Sequence, residues 1–218
     1  INGSADITSM ENNGNVTINP GGTATFDNVI NSGILNLVSD PSGMFSFMTE
    51  NFSGSGTVNT RLFLTGGLAG DPAEELYRWH YLAVPSQQNK SVLTSINPDN
   101  LMWYSEPAAV TDMFEGWQWH DGYDGTTAIT DLEVTDGYSF YHDEDTYVTF
   151  TGSSLLTSLP QKDLGFSTFG WNFIGNSLTC GINWDDVILN GDVDPSVNFI
   201  KDYQEYYYIQ GGPGVPAG

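Results

Sequence analysis

Short bursts of alternating apolar and polar residues run through the first 65 positions. They are Val16-Thr17-Ile18, Ala24-Thr25-Phe26, Ile34-Leu35-Asn36-Leu37-Val38, Phe45-Ser46-Phe47-Met48 and Val58-Asn59-Thr60-Arg61-Leu62. Turn formers separate them: Asn12-Asn13-Gly14, Asn19-Pro20-Gly21-Gly22, Asn31-Ser32-Gly33, Asp40-Pro41-Ser42-Gly43 and Ser53-Gly54-Ser55-Gly56. Strands punctuated in this way predict either an all-β sandwich or a few rungs of a β-helix. A solenoid normally declares itself by a fixed period, and the intervals here vary.

From Leu76 the pattern turns aromatic. Predicted strands are Leu76–Val84, Leu101–Tyr104, Gly116–Trp119, Gly137–Tyr141, Tyr147–Thr151, Trp171–Ile174, Ile182–Trp184, Val197–Ile200 and Tyr206–Ile209. About nine such strands suit a jelly-roll-like sandwich, with Trp79, Trp171 and Trp184 at core positions. Thr65 to Pro72 is small and flexible and makes the natural boundary. The expected organisation is therefore all-β: a Gly/Asn-rich β region (sandwich or β-helix-like rungs) over residues 1–68, then a jelly-roll-like, aromatic-cored β-sandwich over 69–218. Asp71-Pro72 could open one short helical turn, with Asp71 as N-cap and Pro72 at N1.

Composition narrows the function classes. The 218 residues include 27 acidic and 5 basic side chains, a formal net charge of -22. Such a surface repels phosphate backbones and anionic headgroups, which argues against nucleic-acid binding. No apolar run approaches the ~20 residues needed to span a bilayer as a helix, so membrane insertion is not expected. Cys180 is the sole cysteine and cannot form an intramolecular disulfide. The chain starts at Ile1 with no basic or apolar leader, and is read as a processed, exported chain or part of a longer one.

Candidate chemistry is sparse. His80, His120 and His142 have no metal-motif spacing. Acidic loops at Asp121/Asp124 and Asp192/Asp194 offer the oxygen ligands that calcium prefers, without matching an EF-hand; calcium is the one cofactor they leave open. No nucleophile–base spacing stands out, so the protein is not expected to be an enzyme. Trp117 and Trp119 share one strand face and are the candidates for stacking on a glycan. Asn-x-Ser/Thr sequons stand at Asn2, Asn15, Asn51 and Asn89, as several would by chance in a chain rich in these residues.

Two signatures carry a resemblance. Tyr77-Arg78-Trp79-His80-Tyr81-Leu82-Ala83-Val84-Pro85 and Gly170-Trp171-Asn172-Phe173-Ile174-Gly175-Asn176, followed by Ile182-Asn183-Trp184-Asp185, resemble a sandwich-type domain of large secreted surface proteins of the Bacteroidetes. Ser177 replaces the proline usual in that pattern. The resemblance implies an extracellular or cell-surface location and type IX secretion. Members often carry a Gly/Asn-rich run before the first signature and a further strand after the last. The resulting expectation is a non-enzymatic subunit of a surface fibre or layer, polymerising head to tail with copies of itself. In that scheme a donor strand at residues 1–8 presents Ile1, Gly3, Ala5 and Ile7 to a neighbour's open sheet. The second reading is a carbohydrate-binding or adhesive module that contacts surface or environmental glycans.

Overall fold

The computed structural model describes residues 1–67, 79–125 and 127–182, with the backbone of 197–201 and 206–210; for Asp124 it describes the backbone only. It is an all-β protein. Six strands come first: β1 (Ser4–Asn12), β2 (Asn15–Ile18), β3 (Thr23–Asn31), β4 (Ile34–Val38), β5 (Ser46–Ser53) and β6 (Thr57–Leu64). The five alternating bursts of the sequence fall in β2 to β6, and β1 overlaps the segment 1–8 expected as a donor strand.

Their pairing is parallel. One sheet has the order β1-β3-β5, and another stacks β2, β4 and β6. Successive strands of each sheet therefore lie one turn of chain apart, and residues 4–64 form three rungs of a parallel coil. Of the two expected arrangements for this region, the β-helix-like one is present. Ser4 lies beside Thr23, and Thr23 beside Ser46, so the rungs are 19 and then 23 residues apart. The four extra residues all fall between Leu37 and Ser46, because every other register is kept. Length variation thus sits in one outer turn, and the ladder continues past it.

The coil interior is a single column of side chains. Ile18, Ala24, Phe26, Val29, Leu35, Leu37, Phe47 and Val58 are buried together, with Phe26 and Phe47 tilted on each other at 5.5 Å. A second column occupies the turns. Asn12 and Asn31 are both buried; Asn12 Nδ2 donates to Asn31 Oδ1 at 2.8 Å and to the Ile34 carbonyl at 2.9 Å. Asn31 Nδ2 in turn donates to the Thr57 carbonyl at 3.1 Å. The side-chain amides satisfy carbonyls that a tight corner would leave without partners. Two residues on, Gly14, Gly33 and Gly56 stack so closely that a Cβ on Gly33 would lie 2.1 Å from the Gly14 carbonyl oxygen.

The aromatic half joins this coil directly. β13 (Thr146–Gly152) pairs antiparallel with β6, giving a sheet of order β13-β6-β4-β2. A separate antiparallel sheet has the order β10-β9-β12-β7, from β7 (His80–Leu82), β9 (Leu101–Tyr104), β10 (Trp117–Trp119) and β12 (Tyr138–Phe140). A two-residue ladder links β8 (Gln88–Asn89) to β11 (Asp131–Leu132), and α1 (Ser91–Thr94) is a single helical turn. The core between these elements is aliphatic and phenylalanine-rich: Leu64, Leu82, Val84, Leu93, Leu101, Leu132, Phe140, Val148 and Phe150. Trp79 and Trp171, expected at core positions, are half-buried and do not belong to this cluster.

A further sequence expectation meets a different outcome. Trp171–Ile174 is not a strand; it makes one bridge, Ile174 to Asp136, and Phe173 packs on aromatic rings instead. The boundary after residue 68, the short helix at Asp71 and the Trp184 position lie outside the described residues. Ile1–Gly181 forms one compact unit and Ile182–Gly218 another. Within the second, β14 (Val197–Lys201) and β15 (Tyr206–Gln210) form an antiparallel hairpin.

Candidate functional site

The exit of β9 and the long loop 161–174 build the most organised site among the described residues. Glu106 follows β9 and is 3% exposed. Its carboxylate accepts from the backbone N–H of Ser167 (2.7 Å), Thr168 (2.9 Å), Phe169 (3.0 Å) and Gly170 (2.8 Å), and from the Ser167 hydroxyl. Consecutive amides wrapped around one anion form a nest. The Ser167 hydroxyl first, and the amides with it, hold the Glu106 carboxyl down at about 2. Asn172 closes the same loop: its Oδ1 accepts from Gly165 N, and its Nδ2 donates to the carbonyls of Gly165 and Gly170.

Beneath the loop lies an aromatic cluster on one face of the four-stranded sheet. Trp117 packs edge-on to Tyr104 at 5.5 Å and to Phe173 at 5.3 Å, and stacks with Tyr81 at 6.3 Å. Tyr81 meets Phe173 edge-on at 4.9 Å. Beside this cluster is a cleft of about 210 Å³, with Trp103, Tyr104 and Phe173 in its apolar lining and Asp136, Lys162 and Asp163 in its polar lining. Lys162 is ion-paired with Asp136. The loop also displays apolar side chains to solvent: Phe166 is 82% exposed, with Leu164 and Phe169 at about half that value.

The first rung is the second notable place. β1 and β2 are edge strands of their sheets, and the column of core side chains ends there only partly covered: Ile1 packs against it and Ile18 is fully buried. Ile7 is 42% exposed, whereas Phe26, its register partner, is 1% exposed, and Thr49 beyond it 5%. Met10 and Val16 are half-buried above the buried Val29 and Leu35.

The remaining expected positions are placed as follows. Ile1, Gly3, Ala5 and Ile7 belong to the first rung. β1 lies beside β3 of its own chain, and the amino terminus donates to the Thr17 carbonyl at 2.7 Å. Trp117 and Trp119 are both half-buried, Trp117 inside the cluster just described. Asp121 is exposed and its Oδ1 accepts from Tyr123 N at 2.9 Å, which closes a turn. Asp192 and Asp194 lie outside the described residues, as does the side chain of Asp124. Among the described residues no three His, Cys, Asp or Glu side chains converge as a metal site would require. Asn2, Asn15, Asn51 and Asn89 are all exposed, yet each side chain already bonds within the chain, to Asn19, Asn36, Asn28 and Asp131 respectively.

Glu106 escaped sequence reasoning because its partners lie 61 to 64 residues away and no local motif marks them. No family model, curated protein or solved structure matches the chain.

Proposed function

We propose that the protein is a non-enzymatic structural module of an extracellular, cell-surface assembly, extended through the open end of its parallel coil. The observation that carries this reading is the first rung. It offers the outer edge of β1, beside a β2 edge that Ile1 caps at Thr17 and Asn19, together with an apolar end face containing Ile7, Met10 and Val16. An edge of this kind is a template for a further strand. Natural sheets commonly blunt such edges with lysine or proline, and residues 4–18 contain neither. A strand supplied by a neighbouring copy would continue both the ladder and the apolar column, joining subunits head to tail. The contact is heterologous, so repetition builds a fibre rather than a closed ring.

In the single chain, residues 1–8 already lie against their own sheet. The first rung then serves as the accepting edge, and the donor role expected of residues 1–8 would require β1 to leave β3. The resemblance to exported Bacteroidetes surface proteins supports the location, and the acidic surface suits a soluble exported chain.

The test is the Ile7→Lys variant, examined by analytical ultracentrifugation and negative-stain microscopy. Ile7 is already part-exposed, so the fold should tolerate the change with a near-wild-type melting temperature, while a charge at the end face should abolish assembly. Wild-type protein that stays monomeric at millimolar concentration, or fibres unaffected by Ile7→Lys, would refute the proposal.

A further inference from the structure

We infer that the cleft between the exit of β9 and the loop 161–174 binds a neutral pyranose unit of an extended glycan, with Phe166 as a flanking platform. Three observations converge on it. The first is the size and lining of the cleft. A volume of about 210 Å³ is below the ~300–1,000 Å³ of drug-sized sites and suits one ring-sized unit. Its lining mixes Trp103, Tyr104 and Phe173 with Asp136, Lys162 and Asp163. A pyranose has the matching duality: C–H groups on its faces that pack on aromatic surfaces, and hydroxyls around its edge that donate to carboxylates and accept from an ammonium.

The second observation is rigidity. A buried carboxylate with five donors, and an asparagine amide with three bonds, hold a loop that has no regular secondary structure. So much polar organisation is not needed merely to connect two strands. It does keep a recognition surface in one shape, which lowers the ordering cost of binding.

The third is the display of Phe166. It is 82% exposed on that rigid loop, directly after Gly165, which itself lines the cleft. A phenyl ring held in water beside a polar cleft can stack on the next sugar of a chain, as an isolated pocket cannot.

Charge selects the subclass. Asp136 and Asp163 line the cleft, and the chain carries a net charge of -22, so uronates and sulfated sugars are repelled. This site is separate from the first rung, and its occupation is independent of assembly.

The experiment is affinity gel electrophoresis of the full chain in gels containing laminarin, yeast mannan, xylan or, as the anionic contrast, alginate. Retardation by at least one neutral polysaccharide, and none by alginate, is expected. Phe166→Ala and Asp163→Ala, both at exposed side chains, should weaken that retardation about tenfold or more with unchanged near-ultraviolet circular dichroism. Three results would each overturn the inference: no retardation by any of the neutral polysaccharides, equal retardation by alginate, or retardation that both variants leave intact.

Discussion

Glu106 and Asn31 show how single polar side chains hold this chain together at positions that look unremarkable in one dimension. Asn31 is fully buried, and its amide links the rung before to the rung after. Asn31→Ala would take one of the two acceptors from the Asn12 amide and the Asn31 donor from the Thr57 carbonyl, and should cost about 1–3 kcal/mol in urea unfolding, the usual penalty for unsatisfied buried groups. Asn36→Ala, on the solvent-side ladder where Asn36 donates to Asn15 and accepts from Asn59, should cost about 0.5 kcal/mol or less, as surface changes do. Equal losses would contradict the division between inner and outer amides.

The sign of the Glu106 effect is equally definite. Its carboxyl is held at about 2, below the ordinary 4.5. The carboxylate therefore stabilises the loop at every pH above about 4.5, and that contribution disappears as the pH falls towards 2. Tryptophan fluorescence should report loosening of loop 161–174 within that window. Glu106→Gln should show the loosened signal at neutral pH and a smaller acid transition. Glu115, also held at about 2, chiefly by the Thr111 hydroxyl, titrates in the same range; Glu115→Gln should leave the loop signal in place.

Among the elements, strands were more legible than their partners. Alternation located β2 to β6, because inward and outward faces differ in polarity; residues 1–8, expected as a donor strand, overlap β1, which lies beside β3 of its own chain. Parallel stacking was harder to read. The rung spacing changes from 19 to 23 residues, and the corner asparagine of the first two rungs becomes Gly54 in the third, so no period survives in the sequence. Aromatic composition also misled at Trp171–Ile174. Phe173 there packs its ring on Tyr81 and Trp117, while the backbone makes a single bridge. The cleft was not legible at all, since it is assembled from three segments, 103–107, 136–137 and 162–174, that are distant in the sequence. Trp117 and Trp119, the sequence's candidates for glycan contact, are both half-buried, Trp117 within the aromatic cluster.

For the whole molecule, electrostatics sets the conditions of any association. With 27 acidic and 5 basic residues, two copies repel over roughly 30 Å at 0.01 M salt and over about 8 Å at physiological ionic strength. Self-association through the first rung should therefore strengthen as sodium chloride rises from 10 to 500 mM, followed by light scattering. Weakening with salt would point to charge pairing between subunits, contrary to the apolar end face described for the coil.

The antiparallel closure of β13 on β6 has a consequence in time as well as in space. Each rung of the coil finds its predecessor within about 20 residues of chain, a short loop to close. The last coil strand instead waits for a partner far downstream: Thr151 bonds back to Asn59 across 92 residues. During synthesis, which proceeds at ~5–20 residues per second, the rungs can assemble while the chain is still being made. The outer margin of Thr57–Leu64 meanwhile stays unpaired until residue 152 has emerged. Those seconds are when the nascent chain is most open to pairing with the wrong strand.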